Sequence, residues 1–292
     1  MDILIVRNSS NPKAIDASLL LAAYLTSQGI GHVAIDTSEL SVKNEAKHQE
    51  MLAEKNVEMA VVLGGDGTIL RSARLANPLN IPILGINFGN LGFLANSGED
   101  GVVAIVAAAL AGDVVCEQRT NLRVQIFCEN DDPGSFRESS LGSFFALNEV
   151  ALTRGADGRI IDFNLNISDA SLARMRGDGL VVATATGSSA YALSAGGPLV
   201  SPSFNGLVVV PLAPHTLQSR AVVTAPHDIV EVDLSNNETD REVALFIDGE
   251  LVTLNSAPLK IWIQVGKTPT KLLNYKRQDF YKHAAEVFFG QK

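Results

Sequence analysis

Two kinds of periodicity alternate along the first hundred residues. Short apolar runs at Ile3–Val6, His32–Ile35, Met59–Leu63 and Ile81–Ile86 have the length of buried strands. Between and after them, Ala14–Gln28, the more polar Val42–Asn56, Ile69–Ala76 and the Ala- and Val-rich Asp100–Ala111 read as helices. Strand and helix in alternation predict a parallel sheet with helices on both faces, so residues 1–113 are expected to form an α/β domain.

From about Val114 the pattern changes to short β-like runs separated by turn residues. These are Leu122–Cys128, Ser143–Thr153, Ile160–Ile167, Leu180–Thr184, Gly206–Pro211, Ile229–Leu234, Ala244–Ile247 and Leu259–Val265. Few helical periods interrupt them, and residues 114–270 are expected as a β-rich domain. Phe280, Ala284, Val287 and Phe288 then recur at helical spacing within Asp279–Phe289, so residues 271–292 are expected to return to the first domain. No internal repeat or low-complexity segment is evident.

Composition narrows the picture. A chain of 292 residues, 46% hydrophobic and 19% charged, suits a folded protein with two cores. With 32 acidic against 23 basic residues the net charge is -9, and no basic stretch suits a run of nucleic-acid phosphates. An anionic ligand would need positive potential concentrated locally, by backbone amides, a few arginines or a divalent metal. Met1–Arg7 reads as a strand rather than a signal peptide, and no apolar run approaches the ~20 residues of a membrane span. Cys116 and Cys128 stand outside any metal or redox spacing, which suits a reducing, cytoplasmic compartment.

The candidate chemistry lies in three segments. Gly64-Gly65-Asp66-Gly67-Thr68 follows an apolar strand and opens a helix, where glycines let backbone amides and the helix dipole approach a phosphate. Asp66 is out of place there unless it caps the helix, binds a metal ion or accepts a proton from an attacking hydroxyl. Leu147-Asn148-Glu149-Val150 places an amide beside a carboxylate, suited to ribose hydroxyls; both side chains reach one ligand only at a strand end or bulge. A solvated loop pair is the alternative. Arg176–Pro198 runs from a buried strand through Thr186, Gly187, Ser188 and Ser189 into a short helix closed by Gly196-Gly197-Pro198. Tight packing explains its alanines but leaves Thr186, Ser188, Ser189, Tyr191 and Ser194 without a role.

The first loop resembles that of NAD kinases, of diacylglycerol and sphingosine kinases and, more loosely, of phosphofructokinases. Taken in order, all three segments resemble the NAD kinase family, as do Pro211–Arg220 and Asp248-Gly249. Three positions depart from the family pattern: Ala185 stands for a proline, Ser189 for a threonine, and Glu250 where a Gln often follows Asp-Gly. The resemblance implies phosphoryl transfer to the 2′-hydroxyl of NAD's adenosine ribose, with Asp66 as general base and ATP or polyphosphate as donor. It implies nucleotide contacts from Gly65, Gly67, Thr68, Asn148, Glu149, Arg176, Asp178, Thr186 and Ser189, continuing through Ala190, Tyr191, Ala192, Leu193 and Ser194. Arg71, Arg159 and Glu250 are weaker candidates for the same contacts. It further implies a divalent metal, Mg²⁺, and a homodimer or homotetramer. Phe88–Leu94 resembles a cleft-lining loop of the family, while His215, without a carboxylate or second His at metal spacing, reads as structural. Two rival readings are a lipid kinase of the same superfamily and a non-catalytic NAD-binding regulator.

Overall fold

Strands β1 (Asp2–Arg7), β2 (Gly31–Asp36), β3 (Val57–Leu63) and β4 (Ile83–Asn87) take up the early apolar runs. They alternate with α1 (Pro12–Ser27), α2 (Glu45–Ala53) and α3 (Asp66–Ala76). A two-residue strand β5 (Asn96–Ser97), α4 (Val102–Ala111) and β6 (Val115–Arg119) follow. The structure is a computed structural model and describes residues 1–41, 44–89, 92–128, 143–216, 218–238, 241–254, 256–276 and 279–290. Residues 42 and 43 of the expected second helix, Asn90 and Leu91 of the expected cleft loop, and Leu217 therefore lie outside the described residues.

β1 pairs in parallel with β2 and β3, and β3 in parallel with β4, as strand–helix alternation requires. Side-chain alternation then divides the apolar residues between two faces. Ile3, Ile5, Val61, Leu63, Leu84 and Ile86 share one cluster with Leu21 and Leu25 of α1 and Val102 and Ile105 of α4. Helix α3 covers the other face, with Ile69 so close over β4 that a Cβ at Gly85 would stand 2.4 Å from its Cδ1.

Residues Thr120–Lys267 form a separate unit, so the first unit runs past the expected limit at 113 to Arg119. Its elements are β7 (Leu122–Cys128), β8 (Ser143–Ala146), β9 (Glu149–Arg154), β10 (Ile161–Ile167), β11 (Ala170–Gly177) and β12 (Gly179–Ala183). After α5 (Tyr191–Ser194) come β13 (Val208–Leu212), β14 (Val222–Val223), β15 (Val230–Asp233), β16 (Val243–Ile247), β17 (Glu250–Leu251) and β18 (Pro258–Val265). They pair as two six-stranded sheets, β11-β10-β15-β18-β7-β8 and β14-β13-β12-β9-β16-β17. Val124, Phe163, Val232 and Ile261 of one sheet meet Leu152, Leu180, Val209 and Leu245 of the other in a single core, a sandwich. The second sheet is buried on its other face as well, where Val181, Ala183, Val208 and Val210 pack with Ala192 of α5. Burial on both faces is why Leu180–Ala183 and Val208–Leu212 are continuously apolar instead of alternating.

The chain rejoins the first unit at Thr268. There β19 (Thr270–Asn274) inserts between β4 and β6, parallel to the former and antiparallel to the latter. Last comes α6 (Phe280–Phe288), capped by Asp279, whose side chain accepts from the amides of Tyr281 and Lys282. Among the described residues no helix is long and apolar enough to cross a membrane.

Candidate functional site

The glycine turn between β3 and α3 is shaped by close contacts. A Cβ on Gly64 would stand 2.5 Å from Oγ1 of Thr68, so only glycine lets the helix's first turn fold back here. Gly67 is exposed, and a Cβ there would meet nothing within 4 Å, which leaves the helix's first turn open to a ligand. Gly65 is the N-cap, Asp66 is the first helical residue, and no side chain caps the helix. A helix-capping role for Asp66 is thereby excluded. Its carboxylate instead accepts the amide of Phe93 at 2.8 Å and that of Leu94 at 3.3 Å. Gly92 permits that approach, since a Cβ there would lie 2.2 Å from Oδ2 of Asp66. Burial raises the Asp66 carboxyl above its ordinary value, while the two amides and the charges of Arg119 and His283 oppose the rise.

Arg71 does not join this group. Five residues beyond Asp66 it points roughly 140° away around α3, and it lines a small pocket with Leu40, Ser41, Glu45, His48 and Arg74.

In the second unit the apolar run expected as one strand over Ser143–Thr153 is two, β8 and β9, in different sheets. The chain crosses at Leu147-Asn148, and the crossing is held by Asp248. Its carboxylate accepts the amides of Leu147 at 2.8 Å, Asn148 at 2.7 Å and Glu149 at 3.2 Å. Asp248 and Gly249, with φ of 47° and 79°, are the two-residue turn joining β16 to β17, where both central residues need positive φ. Asn148 is thus half-buried at a strand end, and Glu149 is 8% exposed at the first position of β9. The Glu149 Oε2 is buried without a hydrogen-bond partner among the described residues. Burial first, then the neighbouring Asp248 charge, push its carboxyl up to about 7.

Gly187 fits against this crossing, since a Cβ there would lie 2.2 Å from the Asn148 carbonyl oxygen. Thr184 Oγ1 donates to the Leu147 carbonyl at 2.7 Å and accepts the Gly187 amide at 3.1 Å. Ser188 is fully buried and bonded to Ala185 and Val200, and Ser189 donates to the Thr186 carbonyl. Asp178, Tyr191 and Ser194 line one pocket of about 550 Å³ together with Arg154. Ala192 is in the core, and Ala190 and Leu193 are half-buried beside it. Arg176 sits apart on exposed β11, 3.7 Å from Asp162, which also binds Arg174 through two bonds of 3.1 Å. Arg159 is exposed in the turn after β9, and Glu250 pairs with Ile247 across the hairpin.

Several participants went unread in the sequence. Arg119 and His283 act on Asp66 from segments without a motif of their own, the part played by Gly92 within the expected Phe88–Leu94 loop was not foreseen, and Arg154 pairs with Asp178 at 3.1 Å. The bracing of the crossing by Asp248 went unread too, although its Asp-Gly turn is a local signal.

An α/β unit presenting a half-buried carboxylate at a strand–glycine–helix turn, and a β-sandwich unit burying a second carboxylate at a sheet crossing, suit a phosphotransferase. The chain belongs to the NAD kinase family and is a kinase. Residues 4–114 match the ATP-NAD kinase N-terminal domain, and residues 147–275 match the ATP-NAD kinase C-terminal domain. It is 33% identical over 286 residues to an NAD kinase of Nitrosomonas europaea, covering 97% of this chain and 93% of that one. With an NAD kinase of Nitrosospira multiformis it shares 37% over 233 residues, 79% of this chain and 76% of that one. Its fold is similar to yeast NADH kinase complexed with NADH (TM-score 0.83, 21% identity, 99% of this chain and 87% of that one). It is also similar to an Archaeoglobus fulgidus NAD kinase in complex with ATP (TM-score 0.70, 23% identity, 99% and 98%).

Proposed function

We propose that this kinase phosphorylates the 2′-hydroxyl of the adenosine ribose of NAD, with Asp66 as general base and ATP or polyphosphate as donor. The observation that carries this reading is the Asp66 carboxylate, half-buried at the phosphate-type turn yet spent on no helix cap. In the reaction the 2′-oxygen bonds to the donor's terminal phosphorus, the bond from that phosphorus to its leaving oxygen breaks, and the hydroxyl proton passes to Asp66. A base raised by burial toward neutrality holds that proton better than an ordinary aspartate. Curated relatives named NAD kinase support the acceptor.

The half-buried Asn148 and the orphaned Glu149 carboxylate offer a donor and an acceptor to ribose hydroxyls. Gly65, Gly67 and Thr68 suit the donor phosphates, and Asp178, Thr186, Ser189, Ala190, Tyr191, Leu193 and Ser194 suit the rest of the dinucleotide, whereas Ala192 is spent on the core. Among the described residues no three His, Cys, Asp or Glu side chains gather as a metal cage. Mg²⁺ accompanying the donor would offset the charge of its phosphate oxygens. The family resemblance supports a homodimer or homotetramer, and two cysteines outside any metal or redox spacing suit a cytoplasmic setting.

The test is incubation of the purified protein with Mg²⁺, NAD and, in parallel, ATP or polyphosphate, with NADP measured. NADP from either donor supports the reading. None from both overturns it.

A further inference from the structure

The peptide that holds Asp66 is itself held by α6. The ring of Phe93 lies edge-on to His283 at 4.6 Å, stacks on Phe288 at 5.6 Å with an interplanar angle of 9°, and meets Phe280 at 5.9 Å. Aromatic contacts of this kind fix a side chain's place, and with it the amide that Phe93 donates to Asp66. His283 is half-buried. Its Nε2 is buried without a hydrogen-bond partner among the described residues, while Nδ1 lies 3.9 Å from Glu286 on the same helix. A small cavity is lined by His283, Phe93, Phe280, Glu117, Arg119 and Asn274.

Among the described residues, the charged and titratable groups around His283 are Asp279 and Glu286 from its own helix and cap, Glu117 and Arg119 from β6, and Asp66 from α3. Arg119 and Glu117 are committed to each other at 2.9 Å, and Asn274 donates to Glu117 at 2.9 Å. The charge of Arg119 is therefore largely offset within β6.

We propose that His283 is a positioning residue for the base, fixing Phe93 from α6 and, when protonated, adding positive charge to the surroundings of Asp66. This rests on the reading of Asp66 as base. The positive charge of a protonated His283 keeps Asp66 ionised further into the acid range.

The experiment compares pH profiles of kcat/KM for the wild-type protein, His283→Gln, His283→Lys and Asp66→Asn, alongside NMR titration of the imidazoles in the wild-type and Asp66→Asn proteins. In His283→Gln the acid limb should move up by about half a pH unit, and the alkaline plateau should fall as well because the ring that fixes Phe93 is lost. His283→Lys, with a permanent charge, should return the limb toward that of the wild-type protein. In Asp66→Asn the titration of His283 should move to lower pH, a readout that needs no activity and no substitution at 283. A His283→Gln limb superimposable on wild type, or a His283 titration indifferent to Asp66→Asn, overturns the inference. Should Asp66→Asn keep near-full turnover, the base reading falls instead, and the NMR comparison still decides whether the two groups are coupled.

Discussion

At Asp66 two influences oppose each other: burial favours the neutral acid, and the amides of Phe93 and Leu94 favour the carboxylate. A proton acceptor needs this balance, because a fully exposed aspartate is too weak a base and a bare buried one would stay protonated. Asp66→Asn should therefore lower turnover by ~10²–10⁴-fold while the calorimetric affinity for NAD changes little. Asparagine offers one acceptor where two amides point, so thermal unfolding of the variant should accompany the kinetics. Near-full turnover in a folded variant would remove Asp66 from the role of base. Glu149 makes a different prediction. Its carboxyl holds a proton up to about 7 when folded but only to its ordinary 4.5 when unfolded. The folded state thus binds more protons between those values, so stability falls as pH rises through the window and levels off above it. Glu149→Gln should remove that slope, gaining up to roughly 1–3 kcal/mol at pH 8 and little at pH 4, while impairing the use of NAD. Urea unfolding at the two pH values, with NAD kinetics, checks both halves. A variant neither more stable at pH 8 nor impaired with NAD would mean that Glu149 is a spectator.

The elements matter through where they stop. β8 and β9 look like one strand in the sequence because Phe144–Thr153 is largely apolar, and only the polar Asn148-Glu149 pair hints at a strand end. What fixes the crossing to the other sheet is Asp248, about a hundred residues on, whose carboxylate takes three successive amides. Asp248→Ala would leave those amides unpaired in a part-buried site, at a cost of about 2–4 kcal/mol. The expected outcome is a lower unfolding midpoint together with a raised KM for NAD, and Asp248→Asn should fall between. A loss of stability with NAD kinetics untouched would separate the crossing from the site. The same reasoning explains which elements were legible. Doubly buried β12 and β13 had to be continuously apolar, and so could be read. Strands β6 and β11 lie at sheet edges, with sequences VCEQR and ASLARMRG that need bury little, and they escaped notice. In the candidate site the loop Gly64–Thr68 and the pair Asn148-Glu149 showed as local motifs. The amides that hold Asp66 are 27 and 28 residues away, and α6 further still, where no local pattern encodes the contact.

For the whole molecule, the choice of acceptor follows from how an acidic chain of net charge -9 can hold an anionic ligand. Without a concentrated basic surface, binding must come from hydrogen bonds of defined direction rather than from bulk charge. The Asn148 amide, the orphaned Glu149 oxygen and the pocket of Asp178, Tyr191 and Ser194 are polar and would find partners on ribose hydroxyls and base edges. An alkyl chain would leave the same groups desolvated and unpaired, a penalty of roughly 1–3 kcal/mol for each. The enzyme should accordingly phosphorylate NAD, leave 2′-deoxy-NAD untouched because the attacking oxygen is missing, and ignore lipid hydroxyls. Turnover is to be compared on NAD, 2′-deoxy-NAD and, in mixed micelles, sphingosine and diacylglycerol, each with Mg²⁺ and ATP or polyphosphate. Product from 2′-deoxy-NAD would move the reaction to another hydroxyl and free Asp66 from the proton assigned to it. Turnover of a lipid with none of NAD would overturn the acceptor while leaving the glycine loop as a proposed phosphate site, because in that role the loop would serve the donor whichever hydroxyl attacks.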